Sequence, residues 1–403
     1  MKINRNVLIV ILLLFPILKP VEDAIAVLVG VNFAHIYIRI LSIWNYANIF
    51  IVGCWFFVKL REGKLRITKY TKIVTLLCLV FIMATLREFS FSVLYVFRLT
   101  GNLLLILILA NIYSGRRFYY FLKGCYIYLT FLSVLNAISI YVFSPGMYRT
   151  DYYLLGLDNM GFIIALHSFF AGIICNIVEK GKIGVKMLFL YTMIFSAYVY
   201  CKSGTAIAMC VVTIIFLVFY KSRLMKFVTY KKTILIVFAI FLSITLMQNL
   251  GLWKMVSNLL GKGSTFNGRT IIWAAMFNVI PKHLIMGFGV MPEVTQYYIG
   301  LYPSGGWLSE IGHMHNIIFE FLFRGGIIGV ILFVLLWISC IEKMEANKTK
   351  LLYRVLCVQF LFSMVVCMFE FRLDTYTFWI LPICLYEIDS LNQKNYRMKK
   401  WII

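Results

Sequence analysis

The sequence predicts an all-α polytopic membrane protein of about twelve spans, with both termini cytoplasmic and one large external loop between the ninth and tenth spans. Three observations predict it. First, 62% of the 403 residues are hydrophobic and only 14% are charged, with a mean hydropathy of +0.89; soluble domains carry about a quarter charged residues. Second, the apolar runs are continuous and lack the in–out alternation of a membrane β-barrel. Third, the basic residues form short clusters that alternate in density, 26 on one side of the spans against eight on the other. The rich side is cytoplasmic by the positive-inside rule.

The runs place helices at 7–29, 36–58, 73–86, 89–113, 124–143, 161–178, 187–200, 204–220, 233–250, 315–341, 351–369 and 375–388. In the first, Pro16, Lys19, Pro20, Glu22 and Asp23 interrupt the apolar run. Proline removes a backbone donor and kinks a helix, so a kinked span is expected. The same stretch mimics a signal peptide, with Ala24-Ile25-Ala26 as the cleavage sequence; the expectation is an uncleaved helix. Spans two and four carry Arg39 and Arg98, expected to be buried without local partners. The runs at 73–86 and 187–200 are short for a full crossing. Lys180, Lys182 and Lys186 precede the seventh span, and five basic residues from Lys221 to Lys232 precede the ninth.

External segments are 144–160 and 251–314. The second is rich in glycine and carries Pro281, Pro292 and Pro303; a loop of that length in a compact bundle is usually functional. Its 271–279 stretch is expected to be a short amphipathic helix at the membrane interface, ended by Pro281. Nothing repeats along 1–403, which reads as a single membrane domain.

The net charge of +23 does not indicate nucleic acid, because no soluble face carries the basic residues. The ten cysteines have no metal-ligand spacing and are expected to pack. There is no DxD pair and no GxSxG elbow, and Gly261-Lys262-Gly263-Ser264 lacks the first glycine of a phosphate-binding loop. Neither metal nor cofactor is expected. What remains is a polar external face with Arg and His set on membrane helices.

One spacing stands out: His315-Asn316, nine residues, Gly326, two residues, Gly329. It resembles the signature of the O-antigen ligase/polymerase superfamily. Asn267-Gly268-Arg269 leading to Trp273, then Pro281 and Gly287-Phe288-Gly289, is similar to that family's large external loop. Gly156-Leu157-Asp158-Asn159 is similar to its Gly…Asn helix entry. Ser203-Gly204-Thr205 resembles its Ser-rich hairpin, but the basic residue usually found after it is missing and Lys202 precedes it instead. The resemblance covers roughly 145–345.

The resemblance implies a bacterial cytoplasmic-membrane glycosyltransferase, without a metal, that polymerises polyprenyl-pyrophosphate-linked repeat units of O-antigen or capsule with inversion at the transferred sugar. A chain-length regulator and a flippase of the same pathway are implied partners. The leaving pyrophosphate is multiply charged, and Arg suits it by its permanent charge and planar fork. Arg269 is the first candidate for that clamp, with Arg149, Arg372 and His313 beside it. His315 either takes the acceptor proton, a task an external carboxylate could also perform, or stays protonated on the pyrophosphate. Asn159, Asn316, Glu320 and Arg324 are supporting candidates. Glu320 stands four residues before Arg324, the favourable orientation for an ion pair inside a span. Gly325, Gly326 and Gly329 are expected to allow close helix packing. A ligase shares every motif and differs only in its acceptor. A lipid-linked oligosaccharide flippase is the rival from another class, opposed by the long external loop and the His-Asn spacing.

Overall fold

The computed structural model describes residues 4–65, 67–143, 146, 152–220, 222, 227–249, 268–303 and 306–393. Apart from the first, the expected runs are helical over most of their described residues, and among the described residues six helices are individually long and apolar enough to cross a membrane. The elements are α1 (Arg5–Leu14), α2 (Glu22–Val29), α3 (Val31–Arg61), α4 (Lys69–Arg87), α5 (Val93–Ile112) and α6 (Phe118–Val142), then the hairpin β1 (Tyr152–Tyr153) and β2 (Gly156–Leu157). There follow α7 (Asp158–Lys180), α8 (Val185–Tyr200), α9 (Gly204–Phe219), α10 (Tyr230–Asn249), α11 (Arg269–Val279), α12 (Pro292–Gly300), α13 (Ile317–Ile338), α14 (Ile341–Glu345), α15 (Leu351–Cys367) and α16 (Ile380–Tyr386). Polar side chains start several of them: Asn4 caps α1, Thr68 caps α4 and Ser92 caps α5, each satisfying a backbone N–H that a helix start leaves open. The bundle packs around α7, whose apolar window is 94% buried.

Cross-chain ties join residues assigned to one side by the charge count. Gly115 N donates to Glu387 at 3.2 Å, Asn347 Nδ2 to Asp389 at 2.6 Å and Lys123 Nζ to Glu179 at 2.6 Å, all on the expected cytoplasmic side. On the other side Val290 N donates to Thr85 at 3.0 Å and Tyr298 OH to Glu88 at 3.3 Å.

The first span departs from expectation. It is broken rather than kinked, because Pro16 and Pro20 bracket a non-helical stretch between α1 and α2. Tyr113 OH reaches Asn6 O, Tyr128 OH reaches the carbonyls of Phe15 and Leu18, and Val21 N donates to Leu154 O. The chain therefore climbs along α6 to the hairpin over residues 5–21. Then α2 folds back onto α3, where the Glu22 carboxylate meets His35 Nδ1 at 2.7 Å. Arg39 and Arg98 are corrected as well: both are exposed on outward faces of α3 and α5.

The long external segment is folded, and part of it enters the bundle. Its 271–279 stretch is helical as expected, in α11, but Ile272, Trp273, Ala275, Met276 and Val279 are buried against protein, so this face packs inward rather than lying on the membrane. A 3-10 turn carrying Pro281 follows, and then 284–289 pairs with the middle of α13. Ile327 N donates to Leu284 O at 2.8 Å, and Phe288 N to Phe323 O at 2.7 Å.

These bonds exist because α13 is interrupted at Gly326 (φ 60°, ψ −158°), a conformation that is essentially glycine-only. The expectation of close packing holds at Gly325, which faces the Phe81 ring. Gly326 instead opens the helix, and irregular backbone at this depth is tolerated because another segment satisfies it. A Cβ at Gly326 would collide with the Ile285 carbonyl, and one at Gly289 would lie 2.5 Å from Thr85 Cα. Gly326→Ala is expected to destabilise the protein by about 3 kcal/mol or more, seen as lost yield and a lower melting temperature in detergent. An unchanged melting temperature would contradict this packing.

Candidate active site

Three other parts of the chain converge on one carboxylate. Glu370 follows α15 and is 5% exposed. Its Oε1 takes an ion pair from Arg269 Nη2, and its Oε2 accepts from Asn159 Nδ2. His315 Nδ1 lies 3.8 Å from the same Oε2. Arg269 opens α11, Asn159 sits in the first turn of α7, and His315 immediately precedes α13's cap.

Local structure explains why they meet. The hairpin is tied to α6, with Leu155 N donating to Asn136 Oδ1 at 2.8 Å and Leu154 N to Ser139 Oγ at 3.2 Å; this sets the entry of α7 and hence Asn159. Asn316 caps α13, accepting from Ile318 N at 3.0 Å and Phe319 N at 3.2 Å, while its Nδ2 donates to Met368 O at 2.9 Å. One residue thus fixes the start of α13 against the end of α15, bringing His315 beside Glu370. Between the two histidines, Met314 is held from both sides: Trp273 Nε1 donates to its carbonyl at 2.8 Å and its N–H donates to Glu320 Oε2 at 2.7 Å. His315 has φ 55°, uncommon for a residue with a Cβ. Such strain persists only where the surroundings over-determine it.

Glu320 and Arg324 form the expected ion pair, Arg324 Nε donating to Glu320 Oε1 at 3.0 Å. Arg324 also donates to the carbonyls of Gly289, Met291 and Gly312 and to Thr295 Oγ1. Its buried charge thereby fastens the external segment onto α13.

Beside the cluster lies a cavity of about 90 Å³, lined among others by Tyr95, His313, Glu320, Arg324, Arg372 and Asp374. Arg372 pairs with Asp374 at 3.1 Å, and the Asp374 charge pushes its pKa up. The rings of His313 and His315 stand 4.0 Å apart, which links cavity to cluster. Burial first, then the charges of His315, Arg372, Arg324 and Arg269, hold His313 well below its ordinary 6.5, so it is neutral at neutral pH and offers the cavity a hydrogen bond rather than a charge.

That shift has a consequence for stability. As pH falls through 6.5 the unfolded chain takes up a proton that native His313 refuses, so its contribution is full above that value and declines below it. The melting temperature in detergent is expected to fall between about pH 7.5 and 5.5, and His313→Gln should flatten part of that slope. Equal slopes in the two proteins would contradict the burial of a neutral ring.

The structure brings together Arg269, His315, Asn159 and Asn316, and sets His313, Arg372, Glu320 and Arg324 around the adjoining cavity. Arg149 lies outside the described residues. Glu370 and Tyr95 were not singled out by sequence. The available signal for Glu370 was a carboxylate ending an apolar run two residues before Arg372, in a chain with only 16 acidic residues.

Residues 188–334 match the family model described as O-Antigen ligase. No curated protein is matched. Arg269 and His315 lie inside the matched stretch, whereas Asn159 and Glu370 lie outside it. With its multiple apolar helices, the chain is a multi-pass membrane protein that carries a domain of the O-antigen ligase/polymerase superfamily over residues 188–334, and the members of that family are glycosyl-transferring enzymes.

Proposed function

We propose that the protein is an inverting repeat-unit polymerase that moves a glycan from polyprenyl pyrophosphate onto a sugar hydroxyl of a second lipid-linked unit, at the external face of the bacterial cytoplasmic membrane. The single observation that carries this reading is the convergence of Arg269, Asn159 and His315 on Glu370, next to a cavity lined by Arg324 and Arg372.

The chemistry follows from these groups. The acceptor oxygen attacks the anomeric carbon, the bond from that carbon to the phosphate oxygen breaks, and the pyrophosphate leaves with the electron pair. A single displacement inverts the carbon. His315 takes the acceptor proton, with Glu370 orienting its Nδ1 side so that Nε2 serves as the base, in the manner of a hydrolase triad. Arg269, paired with Glu370 before substrate arrives, turns to the pyrophosphate as negative charge develops there. Charge-assisted contacts of this kind are worth about 1.5–3 kcal/mol each. Arg372, paired with Asp374, supplies a second guanidinium at the cavity, and neutral His313 adds a donor.

Deletion of the gene tests the choice between polymerase and ligase. A polymerase is expected to leave single repeat units on the final acceptor. Long unattached chains would instead assign the ligase activity. His315→Ala is expected to cut transfer about a hundredfold or more, read as loss of long glycan on a gel; full-length polymer from normally expressed H315A would remove His315 from the reaction.

A further inference from the structure

The cavity beside the cluster holds a balance of charges that a diphosphate alone does not call for. Both of its arginines are paired, Arg324 with Glu320 at 3.0 Å and Arg372 with Asp374 at 3.1 Å, and both carboxylates line it as well. The two pairs differ in what they leave open. The Glu320 carboxylate is taken by Arg324 and Met314 N, and the Arg324 guanidinium by Glu320, three carbonyls and Thr295. Arg372 and Asp374 stand at the mouth, 41% and 42% exposed, joined through Nη2 and Oδ2. Among the described residues, Arg372 Nη1, Asp374 Oδ1 and the Tyr95 hydroxyl have no hydrogen-bond partner.

A diphosphate gains little from arginines already neutralised, and their carboxylates repel it. A sugar ring is better served. Each of its hydroxyls both donates and accepts, so one can donate to Asp374 Oδ1 while it or its neighbour accepts from Arg372 Nη1. Its C–H face can pack on the Tyr95 ring and Leu99, which line the same cavity. The position says whose sugar it is. Arg269 and His315 stand on different oxygens of Glu370, and His313, whose ring lies 4.0 Å from that of His315, lines the cavity. The cavity thus joins the cluster through the proton-accepting histidine and not through the diphosphate clamp. We infer that Tyr95, Arg372 and Asp374 bind the acceptor sugar and set which sugar is accepted, leaving the donor's diphosphate to Arg269. This rests on the function proposed above, in which His315 takes the acceptor's proton.

The test is equilibrium binding to the full-length protein in nanodiscs, with two probes. The repeat-unit oligosaccharide released from its lipid has no leaving group and can only accept, whereas polyprenyl diphosphate lacking sugar brings no hydroxyl to the cavity. Wild type is expected to bind both. Asp374→Asn should weaken the oligosaccharide about tenfold or more, and Tyr95→Phe, which loses only the hydroxyl, about threefold. Both variants should keep the wild-type affinity for the diphosphate, which also shows that they are folded. Asp374→Glu, which keeps the carboxylate, should recover part of the loss. Arg269→Gln should do the reverse, losing the diphosphate and keeping the oligosaccharide. Oligosaccharide bound equally by wild type and D374N, or by neither at millimolar concentration, overturns the inference. So does a D374N protein that loses affinity for the diphosphate instead, since Asp374 would then serve only to align Arg372 on a phosphate. If R269Q binds the diphosphate as wild type does, the functional reading falls instead, so the two failures are separable.

Discussion

Glu370→Gln is expected to lower transfer about a hundred- to a thousandfold while the protein stays folded, a loss typical of removing one preorganised charged group from a reacting centre. The amide matches the carboxylate in size. Its NH2 end, however, faces either the Arg269 guanidinium or the Asn159 amide and His315 Nδ1, so one donor loses its acceptor whichever way the side chain turns. Arg269 is 12% exposed and His315 20%, which lets water reach both and limits the cost to stability. The measurement is glycan elongation by purified protein in liposomes, with melting temperature as the control for folding. Near-normal elongation by E370Q would detach the carboxylate from the chemistry and leave it a structural tie.

Arg324→Met should instead strongly destabilise the fold. Removing the guanidinium strands the Glu320 carboxylate, which is 1% exposed, and takes the donor from the carbonyls of Gly289, Met291 and Gly312. Breaking a buried pair by deleting one partner costs about 3–5 kcal/mol, a large part of a membrane protein's margin. Glu320→Met combined with Arg324→Met removes the stranded charge, and the double variant is expected to melt above R324M. It should still melt below wild type, because the Gly289 and Gly312 carbonyls lose their donor. If R324M melts with wild type, the arginine does not anchor the external segment.

How much of this was legible from sequence depends on the distance over which each feature is written. Most of the helical runs were legible because hydropathy acts locally, one run at a time. The pairing of Glu320 with Arg324 was legible because both lie on one helix face four residues apart. Arg269, His315 and Asn159 were legible as chemistry-bearing residues through a spacing that resembles a known family, but not as neighbours. Glu370 could not be found that way: it lies 55 residues past His315 and meets it because Asn316 ties α13 to the end of α15. The Gly326 break was hidden for a related reason. A glycine in an apolar run reads as a packing glycine, and only the carbonyls of Leu284 and Ile285 in the re-entrant segment reveal that it opens the helix. The first span was misread because two prolines four residues apart end a helix more completely than one kinks it.

The most direct test places wild-type protein and its Arg269→Gln variant in liposomes with polyprenyl-pyrophosphate-linked repeat units as sole substrate, following free polyprenyl diphosphate and glycan length together. Wild type should release one diphosphate lipid for every glycosidic bond it makes, and R269Q should do neither at a comparable rate. Equal turnover by the folded variant, or longer glycans without released lipid, would contradict the proposed cationic grip on the leaving group.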